Sequence, residues 1–292
     1  MILAMIADGQ LGSIEGGLLD FVMPIEKRYK DLGGQITYKA TVEKILVEND
    51  RAVGVRLADG SEHRADIVVS AADGYSTIYK MLDGRYVDKK IENRYKNWKL
   101  FRPIVMVNFG LTREFTSDPY INIIKLEHPL TIGNQVIYGI TLRIFNYSDK
   151  FASKGKTVIQ SMIETEWNFW NELQKDRPSY EAEKERIAEE ILERLETRYP
   201  DISSHVEMTD IATPHTWWRY TRNYKGSPEG WLPTPDAIIT QIKKTLPGLE
   251  NFYMAGQWVM PGGGVPPCLY SGRHVVQILC HRDVKPFSTT LP

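Results

Sequence analysis

The residues of this chain best suited to do chemistry lie near its C terminus. There Gly262, Gly263 and Gly264 separate the apolar tetrad Phe252 to Ala255 from a periodic stretch opened by Pro266. Glycines between a buried strand and a helix N terminus let a ligand approach bare backbone, and the helix dipole favours anionic groups at that point. The spacing runs Gly262-x-Gly264-x-x-Pro267, so the third glycine of the dinucleotide fingerprint is missing. A plain surface loop accounts for the three glycines equally well. Cys268, His274, Cys280 and His281 are the right types for zinc, but at about 100° per residue Cys268 and His274 point to different faces of one helix. No metal site is expected. His215 and Tyr220 could move protons, while packing serves such residues as readily.

The elements that must position these residues are written in the periodicity. After Gly16-Gly17, apolar residues at Leu18, Phe21, Val22, Ile25, Tyr29 and Leu32 predict a helix closed by Gly33-Gly34, with Pro24 kinking it. ITYKATVEKILVE and AVGVRL, separated by the turn tripeptide NDR and followed by ADGSEHRAD, predict a strand and a small meander. Ile67 to Ala72 does not alternate, which predicts a strand covered on both faces and stopped by Asp73-Gly74. Strands are expected at Ile104 to Leu111 and Gln135 to Phe145, and a long charged helix at Ser179 to Tyr199 with Ile187, Ile191 and Leu195 on its inner face. A helix from Asp236 to Thr245, a short buried strand from Phe252 to Ala255, a loop from Pro261 to Val265 and a helix from Pro266 to Cys280 complete the pattern.

Composition narrows the function classes. The 292 residues, 42% apolar and 25% charged, are ordinary for one or two globular domains and exclude disorder and coiled coil. A net charge of −1 lacks the basic excess that phosphate-backbone binding requires, so nucleic acid is not an expected partner. Two cysteines make no disulfide framework and fit a reducing, cytoplasmic setting. The longest apolar run, Met1 to Ala7, falls far short of the roughly 20 residues that span a bilayer and lacks the marks of a signal peptide. It reads as an interior segment.

Three separated stretches resemble one family at matching spacings, the FAD-dependent phytoene desaturase and retinol saturase (phytoene dehydrogenase-like) group of the flavin amine-oxidase superfamily. GSIEGGLLDFVMPIEKRYKDLGGQITYKATVEKILVENDRAVGVRLADGSEHRADIVVSAA is similar to its central segment, ATPHTWWRYTRNYKGSPEGW to its late substrate-domain signature, and NFYMAGQWVMPGGGVPPCLYSGRHVVQIL to its C-terminal flavin motif. The resemblance implies an α/β fold made of an incomplete FAD-binding Rossmann-like domain and an α+β substrate domain with a mixed sheet. Residues 1–90 would be a partial FAD-domain segment, 91–235 the substrate domain, and 236–292 the C-terminal FAD-domain segment. Members of the family begin with a βαβ unit carrying G-x-G-x-x-G and an acidic ribose ligand, and neither precedes Gly16 here. The chain is therefore expected to be the C-terminal portion of a flavoenzyme, whether fragment, truncated gene product or one half of a split enzyme whose N-terminal Rossmann half acts in trans.

The resemblance also implies roles for particular residues. Val42 would meet the adenine through its backbone, and Ala71 and Ala72 would lie beside the adenosine half. Gly256 and Gln257 would lie near the ribityl and phosphate groups. Gly263, Gly264, Val265 and Pro266 would set the last helix's N terminus against the flavin pyrimidine edge, where a positive helix end stabilises charge near N1 and O2 of reduced flavin. Val42 and Ala71 read equally well as plain sheet residues. Cys268 lacks the spacing for a covalent flavin link and reads as a small buried residue. A lipophilic, isoprenoid or carotenoid-like substrate is implied, with Trp217, Trp218, Tyr220 and Trp231 available to line a tunnel, and with it a peripheral membrane association. FAD is expected to bind weakly or not at all to this chain alone, since its affinity rests largely on the missing pyrophosphate cradle. Two other readings remain: a non-catalytic remnant or interaction module, and a portion of an amine or protoporphyrinogen oxidase.

Overall fold

The computed structural model describes residues 8–9 and 12–289, so the Met1 to Ala7 run lies outside the described residues. Helix α1, Gly17–Asp31, runs through Pro24 and ends in a Schellman cap: Gly33 donates its amide to Lys30 O at 2.9 Å and Gly34 donates to Tyr29 O at 3.0 Å, with Gly33 at φ 87°. None of its residues is buried, so the apolar stripe that announces the helix finds no cover among the described residues.

Two compact units divide the chain. The first takes residues up to Tyr38, then Val105–Ile163 and Leu173–Ala212. Its centre is a five-stranded sheet ordered β6-β7-β8-β5-β9, built from β5 (Ile104–Leu111), β6 (Ile121–Ile132), β7 (Gln135–Ile144), β8 (Thr157–Glu164) and β9 (Val206–Ala212). The β6–β7, β7–β8 and β5–β9 pairings are antiparallel. Alternate residues of β5 are buried, the period-two pattern of a strand with one face on a core. The long helix, here α4 (Arg177–Glu196), buries Ile187, Ile191 and Leu195 as its periodicity predicts. Its arginines fasten it to β6, Arg194 Nε donating to His128 O at 2.8 Å and Arg186 Nη2 to Thr131 O at 2.7 Å. Asp20 of α1 pairs with Lys150 at 2.8 Å, which joins residues 12–38 to this unit and not to the FAD-domain segment expected over 1–90.

The second unit takes Lys39–Ile104, Glu164–Glu172 and the residues from Thr213 onward. Strands β1 (Val42–Glu48), β2 (Arg51–Leu57) and β3 (Glu62–Arg64) form the antiparallel meander, ordered β1-β2-β3. Strand β4 (Val68–Ser70) pairs in parallel with β10 (Phe252–Met254) in the register Phe252 to Val68, Tyr253 to Val69 and Met254 to Ser70. A buried strand, β10, and a partly exposed one far from it in sequence, β4, thus meet in one layer. The expectation that β4 is covered on both faces fails: Val69 is 45% exposed, and β10 is the only described strand beside it.

Around this pair stand a π-helical turn (Ser76–Met81), α2 (Lys89–Asn97), α3 (Trp167–Leu173), α5 (Pro214–Thr221), α6 (Pro235–Ile239) and α7 (Val265–Arg282). Residues 213–235 group here because their backbone zips onto 99–101, Phe101 donating to Gly230 O at 2.9 Å and Leu232 to Lys99 O at 2.8 Å. Helix α6 stops well short of Thr245. Ile238, Ile239 and Thr240 are β-branched and poor helix formers, and Thr240 is already extended, at φ −83° and ψ 115°. The chain beyond it instead lends Lys244 O to the Met254 amide at 2.7 Å. Among the described residues no helix is long and apolar enough to cross a membrane.

Candidate functional site

The parallel pair ends where both chains can offer backbone. Val68 donates to Asn251 O and Ala255 to Ser70 O, each at 2.9 Å, and the next residues, Ala71 and Gly256, leave the ladder side by side. The carboxyl ends of parallel strands are the usual place for a ligand in an α/β layer. Gly256 has φ 90°, and a Cβ built on it would lie 3.5 Å from Ala71 O. Its amide donates to Ser271 Oγ at 2.6 Å, and that hydroxyl donates to Cys268 O at 2.6 Å. Ser271 is fully buried. The strand end is therefore tied directly to the first turns of α7.

Between them runs the glycine loop. Gly262, Gly263 and Gly264 all have positive φ, at 140°, 73° and 77°, a succession only glycine adopts without strain. Gly264 caps α7 and has open space beside it, a Cβ there meeting only Pro266 Cδ at 3.8 Å. A helix start leaves four backbone positions without intrahelical acceptors. Here two of them are Pro266 and Pro267, so only Gly264 and Val265 carry N–H donors. The helix dipole at this end is matched by few discrete hydrogen bonds.

Two acidic side chains, neither expected at the site from the sequence, complete the surroundings. Glu229 lies over Gly263, where a Cβ would meet its Oε2 at 2.4 Å and Phe101 Cζ at 3.2 Å. Burial pushes the Glu229 carboxyl above its usual range. Burial also pushes up the Cys268 thiol, with Glu229 adding to the effect. Asp73, 2% exposed, accepts the Ser76 amide at 2.6 Å and the Tyr224 amide at 2.8 Å. Burial raises its carboxyl in spite of these two donors. Asp73 thus does more than stop β4. It fastens the strand end to residue 224, where Tyr75 and Tyr224 stack with centroids 4.3 Å apart.

The structure brings Ala71, Ala72, Gly256, Gln257, Gly263, Gly264, Val265 and Pro266 onto the strand ends, the loop and the α7 start. Val42 opens β1 in the antiparallel meander, half-buried and paired with Leu57. The aromatic residues considered for a tunnel divide. Trp231 is a core residue, 1% exposed, with its indole donating to Trp258 O at 3.2 Å, whereas Tyr220 is 76% exposed under Arg219. His215 packs 5.4 Å from the Trp218 ring.

Bare backbone at the loop, open space beside Gly264 and a helix start with positive polarity fit a planar cofactor carrying a polar edge. They do not include a pyrophosphate cradle, and the 292 residues contain no G-x-G-x-x-G.

Comparison with known proteins gives a family match over residues 3–280, to the model described as flavin containing amine oxidoreductase. The chloroplastic prolycopene isomerase of Arabidopsis thaliana is 29% identical over 88% of this chain and 43% of its own length. A 4,4'-diapophytoene desaturase (4,4'-diapolycopene-forming) of Methylomonas sp is 22% identical over 92% of this chain and 54% of its own. The chain spans about half the length of the curated relatives it matches. An oxidoreductase from Methanosarcina mazei has a similar fold, with a TM-score of 0.55 at 16% identity over 90% of this chain and 55% of that one.

Proposed function

The chain belongs to the flavin containing amine oxidoreductase family, and from that premise we propose that it supplies the flavin-edge portion of an FAD-dependent oxidoreductase acting on a lipophilic, isoprenoid or carotenoid-like polyene. The observation that carries this reading is the meeting of Ala71 and Gly256 at the carboxyl ends of β4 and β10, continued by the three positive-φ glycines into α7. FAD, when bound, supplies the redox chemistry. Gly264 and Val265 would offer it amides, and Gly256 and Ala71 would let it approach the backbone, with the Glu229 carboxyl facing the loop. Relatives named for acting on prolycopene and diapophytoene support a polyene substrate. A peripheral membrane association is the setting proposed for it.

The pyrophosphate cradle and ribose carboxylate would come from a βαβ unit, in a longer chain or in trans. The test is to purify these 292 residues without added cofactor, record the visible spectrum and titrate FAD, then repeat with a βαβ half of the family co-expressed. The expected result is weak or no binding alone and a stable yellow complex with the partner half. Stoichiometric flavin retained through gel filtration by this chain alone would overturn the division of labour, and no flavin in either preparation would overturn the cofactor reading.

A further inference from the structure

The second unit holds a cleft of about 880 Å³ between α2 and residues 236–247, and none of the residues assigned above to the flavin site lines it. Its size is that of a pocket for a drug-sized or cofactor-sized molecule. Its walls have two characters. Tyr95 and Trp98 present aromatic surface above an almost fully buried floor of Trp231, Trp258, Ile242 and Leu246. Against them stand four cations, Lys89, Lys90, Arg94 and Lys243, and two acids, Asp88 and Asp236. One of the acids is already committed, because Asp88 caps α2 by accepting the Ile91 amide at 2.8 Å.

Arg94 is the telling residue. Its guanidinium is half-buried, lies 6.0 Å from the Trp98 ring centroid, and has neither a carboxylate within salt-bridge distance nor a hydrogen-bond acceptor among the described residues. Burial is the largest influence on it and works against its charge. A guanidinium does not escape that cost by losing its proton, and it offers a planar fork that matches carboxylate and phosphate oxygens. A half-buried cation beside an aromatic wall, held by no ion pair and acted on only by the more distant charge of Asp88, has its fork free for an anion.

We propose that this cleft is a binding site for an amphiphilic organic anion, its carboxylate or phosphate held by Arg94 with Lys243 and its apolar body lying on Trp98 and Ile239. The shared chemistry is an anionic head on an apolar chain or ring, and the site neither includes nor depends on the flavin site. Three of the chain's 7 tryptophans line the cleft, so occupancy is readable in their fluorescence.

The experiment titrates the whole chain with octyl phosphate, with inorganic phosphate and octanol as head-only and tail-only probes and FAD as the competing candidate. Octyl phosphate is expected to saturate, with the two partial probes at least about tenfold weaker and Arg94→Met weakening octyl phosphate about tenfold or more. Should Arg94→Met fail to fold, phenylglyoxal labelling of the native chain serves the same end: Arg94 is modified in the free protein and protected by octyl phosphate. Absence of saturation, an unchanged affinity in Arg94→Met, or labelling of Arg94 that octyl phosphate does not slow would overturn the site. Inorganic phosphate matching octyl phosphate would overturn the apolar half of the proposal, and FAD protecting Arg94 would make the cleft part of the flavin site and overturn its independence.

Discussion

Gly256 passes Ala71 so that a Cβ placed on it would lie 3.5 Å from the Ala71 carbonyl oxygen, ordinary contact, while its φ of 90° lies where L side chains are rarely found. The requirement for glycine is therefore one of backbone conformation and not of space. Gly256→Ala is expected to destabilise the chain by about 1–3 kcal/mol, the cost of one residue held in a sparsely populated region, measured by urea unfolding. A loss well above that would mean a clash that the distance does not indicate.

Ser271→Ala removes the acceptor of the Gly256 amide and the donor to Cys268 O at a fully buried point. An orphaned buried N–H costs about 1–3 kcal/mol, and the same range is expected here. Hydrogen exchange should locate the effect: protection of the Gly256 amide falls selectively, while amides of β6 and β7 keep theirs.

Gly263→Ala puts a methyl group against Glu229 Oε2 and strains a φ of 73°. Truncating Glu229 opens the space but leaves the strain, so a Gly263→Ala, Glu229→Ala double variant should be more stable than the sum of the single changes predicts, by roughly 1 kcal/mol. Additive effects in the cycle would refute the contact.

The buried carboxyl of Asp73 carries a pH signature. Its folded pKa is raised above the ordinary value of 3.8, so its contribution is fully present below that value and is lost as pH rises through the folded pKa. Asp73→Asn, which never ionises, should compare least favourably with the parent at acid pH and better as pH rises. Asp73→Ala leaves the Ser76 and Tyr224 amides unpaired and should cost about 2–4 kcal/mol at acid pH, and less as pH rises and the parent loses its own Asp73 contribution. Thermal unfolding of the three proteins between pH 3 and pH 8 distinguishes these outcomes, the working range being approximate.

Local chemistry made much of this fold legible. Gly33-Gly34 marked a cap that the structure builds hydrogen bond for hydrogen bond, and the unalternating Val68 to Ser70 and Phe252 to Met254 marked two strands that pair. The helix expected from Asp236 to Thr245 does start there, at Pro235 behind the Thr234 cap, but the β-branched residues after it end it by Ile239. Strand β6 went unseen because its burial is irregular and its pairing shifts register between Lys125 and Leu130. The site was legible in its glycines and not in its acids. Glu229 acquires meaning from Gly263, Asp73 from Tyr224, and Arg94 from the lack of a partner. Each of these is a relation across the fold that spacing along the chain does not record.

The pairing of β4 with β10 also sets an order of events. The rung from Ala255 to Ser70 closes a loop that contains the five-stranded sheet of the first unit and α4, and long loops carry a closure entropy that must be met before their contacts give anything back. On the ribosome, Val68 to Ser70 emerges well before Phe252 to Met254, with an open strand edge meanwhile. Refolding should then show the sheet of the first unit forming ahead of a slower phase in which Trp231 and Trp258 become buried together and Gly256 is brought to Ala71.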